Sequence, residues 1–147
     1  MIVYCDTSLL MSLFYEEDAK HKAAKNLVSR FDDEGFVLCQ ADQIGFPAAL
    51  RAAVHRADDV LPGNSARTMI NRFDRAWNGR QYLRRTIDLD ESAAMARTLG
   101  DNHGWNKRHT AFDLWHLAAA WTLGAGAFLT FDERQQEVCQ TLAFRIR

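Results

Sequence analysis

The feature that most constrains this chain is its alternation of short apolar runs with longer amphipathic stretches. Each apolar run has the length and content of a buried β-strand, and the stretches between them repeat apolar residues at helical spacing. The predicted strands are residues 2–5, 36–39, 86–89, 126–130 and 143–146. Strands that alternate with helices form mostly parallel sheets covered by helices on both faces. The sequence therefore predicts an α/β fold, a three-layer α/β/α sandwich with a mostly parallel sheet.

Composition sets the size of the domain and excludes several classes of protein. No repeat or Gly/Ser/Pro-rich linker divides the 147 residues, so residues 1–147 are predicted to form a single domain. With 48% apolar residues the chain is not disordered, and no apolar run approaches the roughly 20 residues that cross a bilayer. Three cysteines without metal-ligand spacing favour reduced thiols, and the first residues lack an export signal. We therefore expect a cytoplasmic protein with no membrane contact.

Acidic residues lie where two predicted strands end. Asp6 directly follows the first strand, and Asp132 follows the fourth. Asp113 lies in the first turn of the most apolar helix. Sites in open α/β sheets form at the carboxyl ends of the strands, so we expect these side chains to converge. Converging carboxylates need a counter-charge, and their oxygen atoms suit Mg²⁺ or Mn²⁺. An ion held there would activate a water molecule for attack on a phosphodiester.

Each of these acids also has a purely structural interpretation. Thr110 and Asp113 have the spacing of a helix N-cap and its third residue. Asp132 can cap the last helix, and Asp6 can open the helix after the first strand. Independent capping does not require that all three acids lie at one end of one sheet, whereas a shared cation does. Both interpretations stay open at the level of the sequence.

Several segments resemble the PIN domain family, in the family's order and over nearly the whole chain. Residues 1–10 resemble its opening strand, which ends in an acid followed by Thr or Ser. Residues 111–120 resemble its acidic helix, and residues 129–135 resemble its last acidic corner. His21 with Ala24 resembles a recurrent packing feature of its second helix. The resemblance is closest to the VapC-type toxins of bacterial toxin–antitoxin pairs.

The resemblance implies both a topology and a function. The implied strand order is 3-2-1-4-5, which places the first and fourth strands side by side. The implied function is that of a Mg²⁺- or Mn²⁺-dependent endoribonuclease that cuts RNA, forms a homodimer and is neutralised by a cognate antitoxin protein. By carry-over, Asp6, Asp113 and Asp132 are the catalytic residues and hold the metal.

One position departs from the family pattern. PIN nucleases usually carry a glutamate in the helix after the second strand, and Gly45 stands at that position. Asp42, about one turn earlier, either substitutes for the glutamate or serves as the N-cap of the helix. Gly45 and Pro47 also make this a poor helix sequence. The alternative function is therefore a catalytically weakened PIN fold that binds RNA or docks a partner. A phospho-acceptor domain is a third possibility, because Asp6 also suits an acidic Mg²⁺ pocket.

Basic residues precede the acidic helix. Lys107 and Arg108, followed by His109, are predicted at the mouth of the acidic cluster, where they would bind RNA phosphates. A solvated loop is the alternative interpretation. His116 follows Asp113 by about one turn, and we interpret it as a hydrogen-bonded packing histidine, although its position also matches a histidine common in the VapC branch.

Overall fold

The computed structural model describes residues 1–31, 34–58, 61–79, 82–142 and 144–146. The strands within these ranges are β1 (Ile2–Cys5), β2 (Gly35–Leu38), β3 (Leu83–Arg84), β4 (Ala127–Leu129) and β5 (Arg145–Ile146). The helices are α1 (Thr7–Phe14), α2 (His21–Ser29), α3 (Gln40–Val54), α4 (Gly63–Asn78), α5 (Leu89–His103), α6 (Ala111–Thr122) and α7 (Glu133–Thr141). Among the described helices, none has both the length and the apolar content needed to cross a bilayer.

The strands form one parallel sheet in the order β3-β2-β1-β4-β5. β1 is therefore central, with Tyr4 opposite Val37 on one side and Phe128 on the other. This arrangement confirms the predicted α/β fold and strand order. Because β1 and β4 are neighbours, their carboxyl ends open at the same edge of the sheet, where Asp6 follows β1 and Asp132 follows β4.

Two apolar cores cover the two faces of the sheet, because successive strand residues point to opposite sides. Val3 and Cys5 of β1 join the core under α1, α3 and α4, together with Leu9, Phe46 and Phe73. Tyr4 points the other way, into the core under α5, α6 and α7, which includes Leu99, Leu117 and Val138. Helices on both faces confirm the three-layer sandwich.

The predicted position of the third strand is wrong. That strand was expected at residues 86–89, whereas β3 is Leu83–Arg84 and pairs with Val37 and Leu38. The Asp88 side chain accepts a hydrogen bond from the Glu91 backbone N–H at 2.9 Å, which makes Asp88 the N-cap of α5. Ile87 is buried in the core and Leu89 begins the helix, so the apolar run marks a helix entry. In the last predicted strand, Ala143 lies outside the described residues.

Helix α3 is continuous through Gly45 and Pro47, so the poor-helix expectation for this segment is wrong. Phe46 and Leu50 are fully buried in the core, and this burial offsets the weak propensity of their neighbours. Asp42 is not the N-cap. Cys39 holds that position, and its backbone N–H donates to the Asp42 carboxylate at 2.8 Å, three residues into the turn.

Candidate active site

Asp6 is buried at the carboxyl end of β1, with 1% of its surface exposed. Its carboxylate accepts a hydrogen bond from the Leu9 backbone N–H at 2.9 Å, so it is also the N-cap of α1. The Ser8 hydroxyl lies 2.8 Å from both carboxylate oxygens, and the Thr130 hydroxyl donates to Oδ2 at 2.7 Å. Asp6 therefore caps α1, as its structural interpretation predicts. It also lies at the edge between β1 and β4, where the metal interpretation requires it.

Asp113 reaches the same edge from the first turn of α6. It forms a capping box with Thr110: the Thr110 N–H donates to Asp113 Oδ2 at 2.8 Å, and the Asp113 N–H donates to the Thr110 hydroxyl at 3.1 Å. Capping therefore occupies Oδ2. The other oxygen, Oδ1, accepts a hydrogen bond from the Gln135 side chain.

Gln135 joins the two acids. Its Nε2 atom lies 3.3 Å from Asp6 Oδ2 and 3.3 Å from Asp113 Oδ1, so one amide nitrogen bridges both carboxylates. We call Asp6 and Asp113 the acidic pair. Sequence reasoning missed Gln135, although a signal was present. With Asp132 as the N-cap of α7, Gln135 is the third helical residue, on the buried face that also carries Val138 and Cys139.

Asp132 is held differently. Its side chain accepts from the Arg134 backbone N–H at 2.8 Å, which confirms its capping interpretation, and the Arg134 guanidinium binds the same carboxylate at 2.6 and 3.1 Å. These bonds hold the pKa of Asp132 below its usual value. Asp132 stays linked to Asp6 through Thr130, whose hydroxyl accepts from the Asp132 N–H at 2.9 Å. Arg134, which sequence reasoning also missed, already supplies its counter-charge.

The donor chemistry of this edge fits a hard divalent cation, although the set is incomplete. Burial raises the pKa of Asp6 to about 6, although hydrogen bonds from Thr130 and Leu9 favour its charged form. Gln135 Oε1 is buried without a hydrogen-bond partner beside the same carboxylates. Across the described ranges, however, no three His, Cys, Asp or Glu side chains form a cluster that could hold a metal. The structure therefore brings Asp6 and Asp113 together and leaves Asp132 on Arg134.

A second polar group lies next to this edge, and all of its members except the half-buried Thr7 are buried. The Tyr4 hydroxyl lies 2.7 Å from His116 Nδ1, and the Thr7 hydroxyl lies 2.7 Å from His116 Nε2. Burial lowers the pKa of His116 to about 4, so the ring is neutral at physiological pH. These contacts confirm His116 as a hydrogen-bonded packing histidine. We call Tyr4, Thr7, His116 and Asp42 the histidine network.

Asp42 belongs to this network through its position. One carboxylate oxygen accepts from the Cys39 N–H, and the other, Oδ1, has no hydrogen-bond partner and lies 3.7 Å from His116 Nδ1. Burial raises the pKa of Asp42 to about 7. Gly45 faces the same network: a Cβ atom there would lie 3.2 Å from the Phe112 ring and 3.3 Å from both His116 Nε2 and Thr7 Oγ1. Larger side chains at this position require those neighbours to shift.

Cations surround the mouth of the acidic edge. Lys107 forms an ion pair with Glu137, and Arg108 is exposed, with its carbonyl oxygen accepting from Arg134 at 2.8 Å. An open cleft beside Asp6 is lined by Ser8, Lys20, Phe131, Asp132, Glu133 and Arg134. Lys20, which sequence reasoning did not single out, lies 5.1 Å from the centre of the Phe131 ring. The arrangement can hold an anionic chain against the acidic edge.

Comparisons with known proteins agree with the fold. The profile of the PIN domain family matches residues 3–140. The structure of VapC20 from Mycobacterium tuberculosis, described as a sarcin-ricin loop cleaving toxin, is similar with a TM-score of 0.69 at 15% identity, over 92% of this chain and 93% of that one. FitAcB from Neisseria gonorrhoeae is similar with a TM-score of 0.65 at 14% identity, over 99% and 96%. VapBC2 from Rickettsia felis, bound to a promoter DNA fragment, is similar with a TM-score of 0.65 at 7% identity, over 100% and 98%. No curated protein matches the chain by sequence.

Proposed function

This chain belongs to the PIN domain family, and we propose that it is a divalent-metal-dependent endoribonuclease, the toxin of a VapBC-like toxin–antitoxin pair. The observation that carries the proposal is the shared hydrogen bonding of Asp6 and Asp113 to one amide nitrogen, 3.3 Å from each, at the carboxyl edge of the sheet. Two carboxylates that share one donor repel each other, and a divalent cation bound by both would offset that repulsion. VapC20, whose structure is similar, is described as a sarcin-ricin loop cleaving toxin.

In the proposed reaction, Asp6 and Asp113 would hold Mg²⁺ or Mn²⁺, and Asp132 would be a further ligand only if Arg134, which now binds its carboxylate, took another partner. When bound, the ion lowers the pKa of a water molecule and offsets charge on the phosphate under attack. Ser8 and Thr130 orient the Asp6 carboxylate through their hydroxyl groups. Arg134 has a second task in this proposal, because its guanidinium group can exchange the Asp132 carboxylate for a phosphate of the RNA.

Lys107 and Arg108 bind the RNA backbone beside the reacting phosphate. Arg108 is exposed and lies in a loop whose backbone is tied to Arg134 of α7 through the Arg108 carbonyl oxygen. Lys107 exchanges its surface partner Glu137 for a phosphate, which costs little because surface ion pairs are weak. The toxin acts in the cytoplasm as a homodimer and is neutralised by a cognate antitoxin, as the resemblance to VapC toxins implies.

A second candidate function is an RNA-binding or partner-docking module that has lost catalysis. Two observations favour it: Gly45 takes the place of the family's glutamate, and Asp132 is neutralised by Arg134 rather than free to bind a cation. In that case Lys107 and Arg108 still bind RNA, and the acidic pair serves only in the caps of α1 and α6.

Cleavage of a structured RNA by the purified chain in Mn²⁺ tests the proposal. Asp6→Asn keeps a good N-cap residue for α1, and Asp113→Asn keeps an amide oxygen that can accept from the Thr110 N–H, so both variants are expected to fold. Each should lose RNA cleavage to background, whereas Asp101→Asn, an exposed acid on α5, should cleave like the unaltered protein. If all four proteins bind RNA and none of them cleaves it, the result supports the binding module. Equal cleavage by all four contradicts the assignment of the acidic pair.

A further inference from the structure

The side chain of Gln135 is the least explained polar group of the acidic edge. It comes from the first turn of α7 and is 3% exposed. Its nitrogen bridges Asp6 and Asp113, while its oxygen Oε1 has no hydrogen-bond partner. Buried amide oxygens are rarely left without a partner in folded proteins, so each such atom calls for an explanation. Here the atom belongs to the amide group whose nitrogen contacts both carboxylates.

The bridge has a clear electrostatic purpose when no cation is bound. Asp6 Oδ2 and Asp113 Oδ1 both point at the same place, and their negative charges repel each other. The side-chain amide of Gln135 has two N–H groups, and both are needed to donate to the two carboxylate oxygens. The amide nitrogen therefore occupies the place between the two oxygens and holds the pair together.

The same carboxamide offers an oxygen when its end group turns over. Nε2 and Oε1 differ little in size, and a half-turn about the last side-chain bond exchanges them without moving α7. The exchange removes two donors from the carboxylates and presents an amide oxygen in their place. Amide and carboxylate oxygens are the protein ligands that hard divalent cations prefer.

We propose that Gln135 is a cation ligand of the acidic pair and also its placeholder. Without a divalent cation its nitrogen bridges Asp6 and Asp113. With one bound, its oxygen completes a set of three protein oxygen ligands. This inference rests on the proposed metal-dependent function and adds Gln135 of α7 to the ligands. Arg134 binds Asp132, and position 45 carries no glutamate, so Gln135 supplies the third protein ligand.

Three variants test the proposal by titration calorimetry with Mn²⁺ and by melting temperature in the presence of EDTA. Gln135→Leu removes both the donor and the ligand, so Mn²⁺ should bind about tenfold or more weakly, and the metal-free protein should melt at a lower temperature. Gln135→Glu adds a third carboxylate, so Mn²⁺ should bind about tenfold more tightly, while the metal-free protein again melts lower. Saturating Mn²⁺ should recover the melting temperature of Gln135→Glu but not that of Gln135→Leu.

Gln136→Leu is the matched control, because Gln136 is the same residue type one position later. Its amide donates to the Thr130 carbonyl oxygen at 3.0 Å and is not bonded to either acid. This variant should lose some stability and bind Mn²⁺ much as the unaltered protein does, since its side chain donates to a backbone carbonyl oxygen and to neither proposed ligand.

The outcomes separate this inference from the proposed function. If the unaltered protein binds Mn²⁺ and Gln135→Leu binds it equally well, Gln135 only fills space and the inference fails while the metal site stands. If the unaltered protein binds no Mn²⁺ at millimolar concentration, both fail. Should Gln135→Leu not fold, Gln135→Glu decides the matter, because weaker or unchanged affinity in that variant overturns the role of ligand.

Discussion

Two buried aspartates near the carboxyl edge of the sheet look alike locally and differ in their neighbours. Asp6 and Asp42 are 1% and 0% exposed, and each accepts a backbone N–H in the first turn of a helix. Burial raises the pKa of both, to about 6 for Asp6 and about 7 for Asp42. Asp6, however, receives the hydroxyl groups of Ser8 and Thr130, whereas one oxygen of Asp42 has no partner.

The difference assigns different tasks to the two regions. Around Asp6 there is a second carboxylate, a bridging amide and an open cleft, which together suit an exchangeable cation. Around Asp42 there is a neutral histidine with both ring nitrogens bonded to hydroxyl groups. The acidic pair is thus the candidate for chemistry, and the histidine network holds β1, α1, α3 and α6 against one another.

The largest expected contrast is in metal affinity. Asp6→Asn should weaken Mn²⁺ binding on the order of a thousandfold, because one of two anionic ligands becomes neutral. Asp42→Asn should change it less than about threefold, since its carboxylate is directed to Cys39 and His116. Titration calorimetry on both variants measures the contrast. A large loss in Asp42→Asn would erase it and show that Asp42 substitutes for the acid missing at Gly45.

The next effect concerns stability and belongs to the histidine network. His116→Leu removes the short hydrogen bonds of the buried Tyr4 hydroxyl and the half-buried Thr7 hydroxyl and leaves Tyr4 only the longer contact to Cys39, so it should lower the free energy of unfolding by about 2 kcal/mol. Urea denaturation at pH 7 measures this loss. Adding Tyr4→Phe to His116→Leu should recover part of it, because the hydroxyl left with only that longer contact is removed. Purely additive losses would mean that the network is not a unit.

A smaller effect is a pH dependence with opposite signs in the two titrating members of the network. The raised pKa of Asp42 favours its neutral form in the folded state, so this contribution to stability is present below pH 4 and is lost as the pH rises through about 7. The lowered pKa of His116 acts the other way: its contribution is present above pH 6.5 and is lost as the pH falls through about 4.

Asp42→Asn isolates the first of these contributions, because Asn stays neutral and keeps an oxygen for the Cys39 N–H. Relative to the unaltered protein, this variant should gain about 3 kcal/mol in free energy of unfolding between pH 4.5 and pH 8. Urea denaturation at the two pH values gives the difference. A relative loss over the same interval would mean that Asp42 is ionised and stabilising, in conflict with its unpartnered oxygen.

The smallest expected effect is at Lys107 and Arg108, in the loop that Arg134 ties to α7. Arg108→Ala should reduce the slope of log affinity for RNA against log salt by about 1, as expected when one phosphate contact is lost. Lys107→Ala should have a smaller effect, because Lys107 already pairs with Glu137. Binding is measured in the Asp113→Asn background, so that RNA stays intact. Unchanged slopes in both variants would mean that neither side chain contacts an RNA phosphate.

The sequence predicts the framework better than the details of the site, for physical reasons. Alternating apolar runs are enough to order β1, β2 and β4, because buried strands leave a strong pattern. The third strand is misplaced because Ile87 is buried in a helix entry capped by Asp88, and a short apolar run cannot distinguish the two. The sequence indicates Asp6 and Asp113 as candidate site residues because Asp6 follows the end of a strand and Asp113 lies in the first turn of a helix.

The residues that sequence reasoning missed depend on contacts between distant elements. Gln135 meets Asp6 and Asp113 across 129 and 22 positions of the chain, and nothing local distinguishes it from Gln136. Arg134 is adjacent to Asp132 in sequence, but its choice of that carboxylate depends on the Arg108 carbonyl that fixes its other end. Such pairings follow from the packing of α7 against the loop before α6, which periodicity does not describe.

A crystal structure with Mn²⁺, read from the anomalous signal of the metal, tests the central claim most directly. The account predicts a peak about 2.2 Å from one carboxylate oxygen of Asp6 and one of Asp113, the distance typical of such ligands. A well-ordered acidic pair with no peak between the two carboxylates, or a peak bound by Asp132 or Glu133 without either of them, would contradict it.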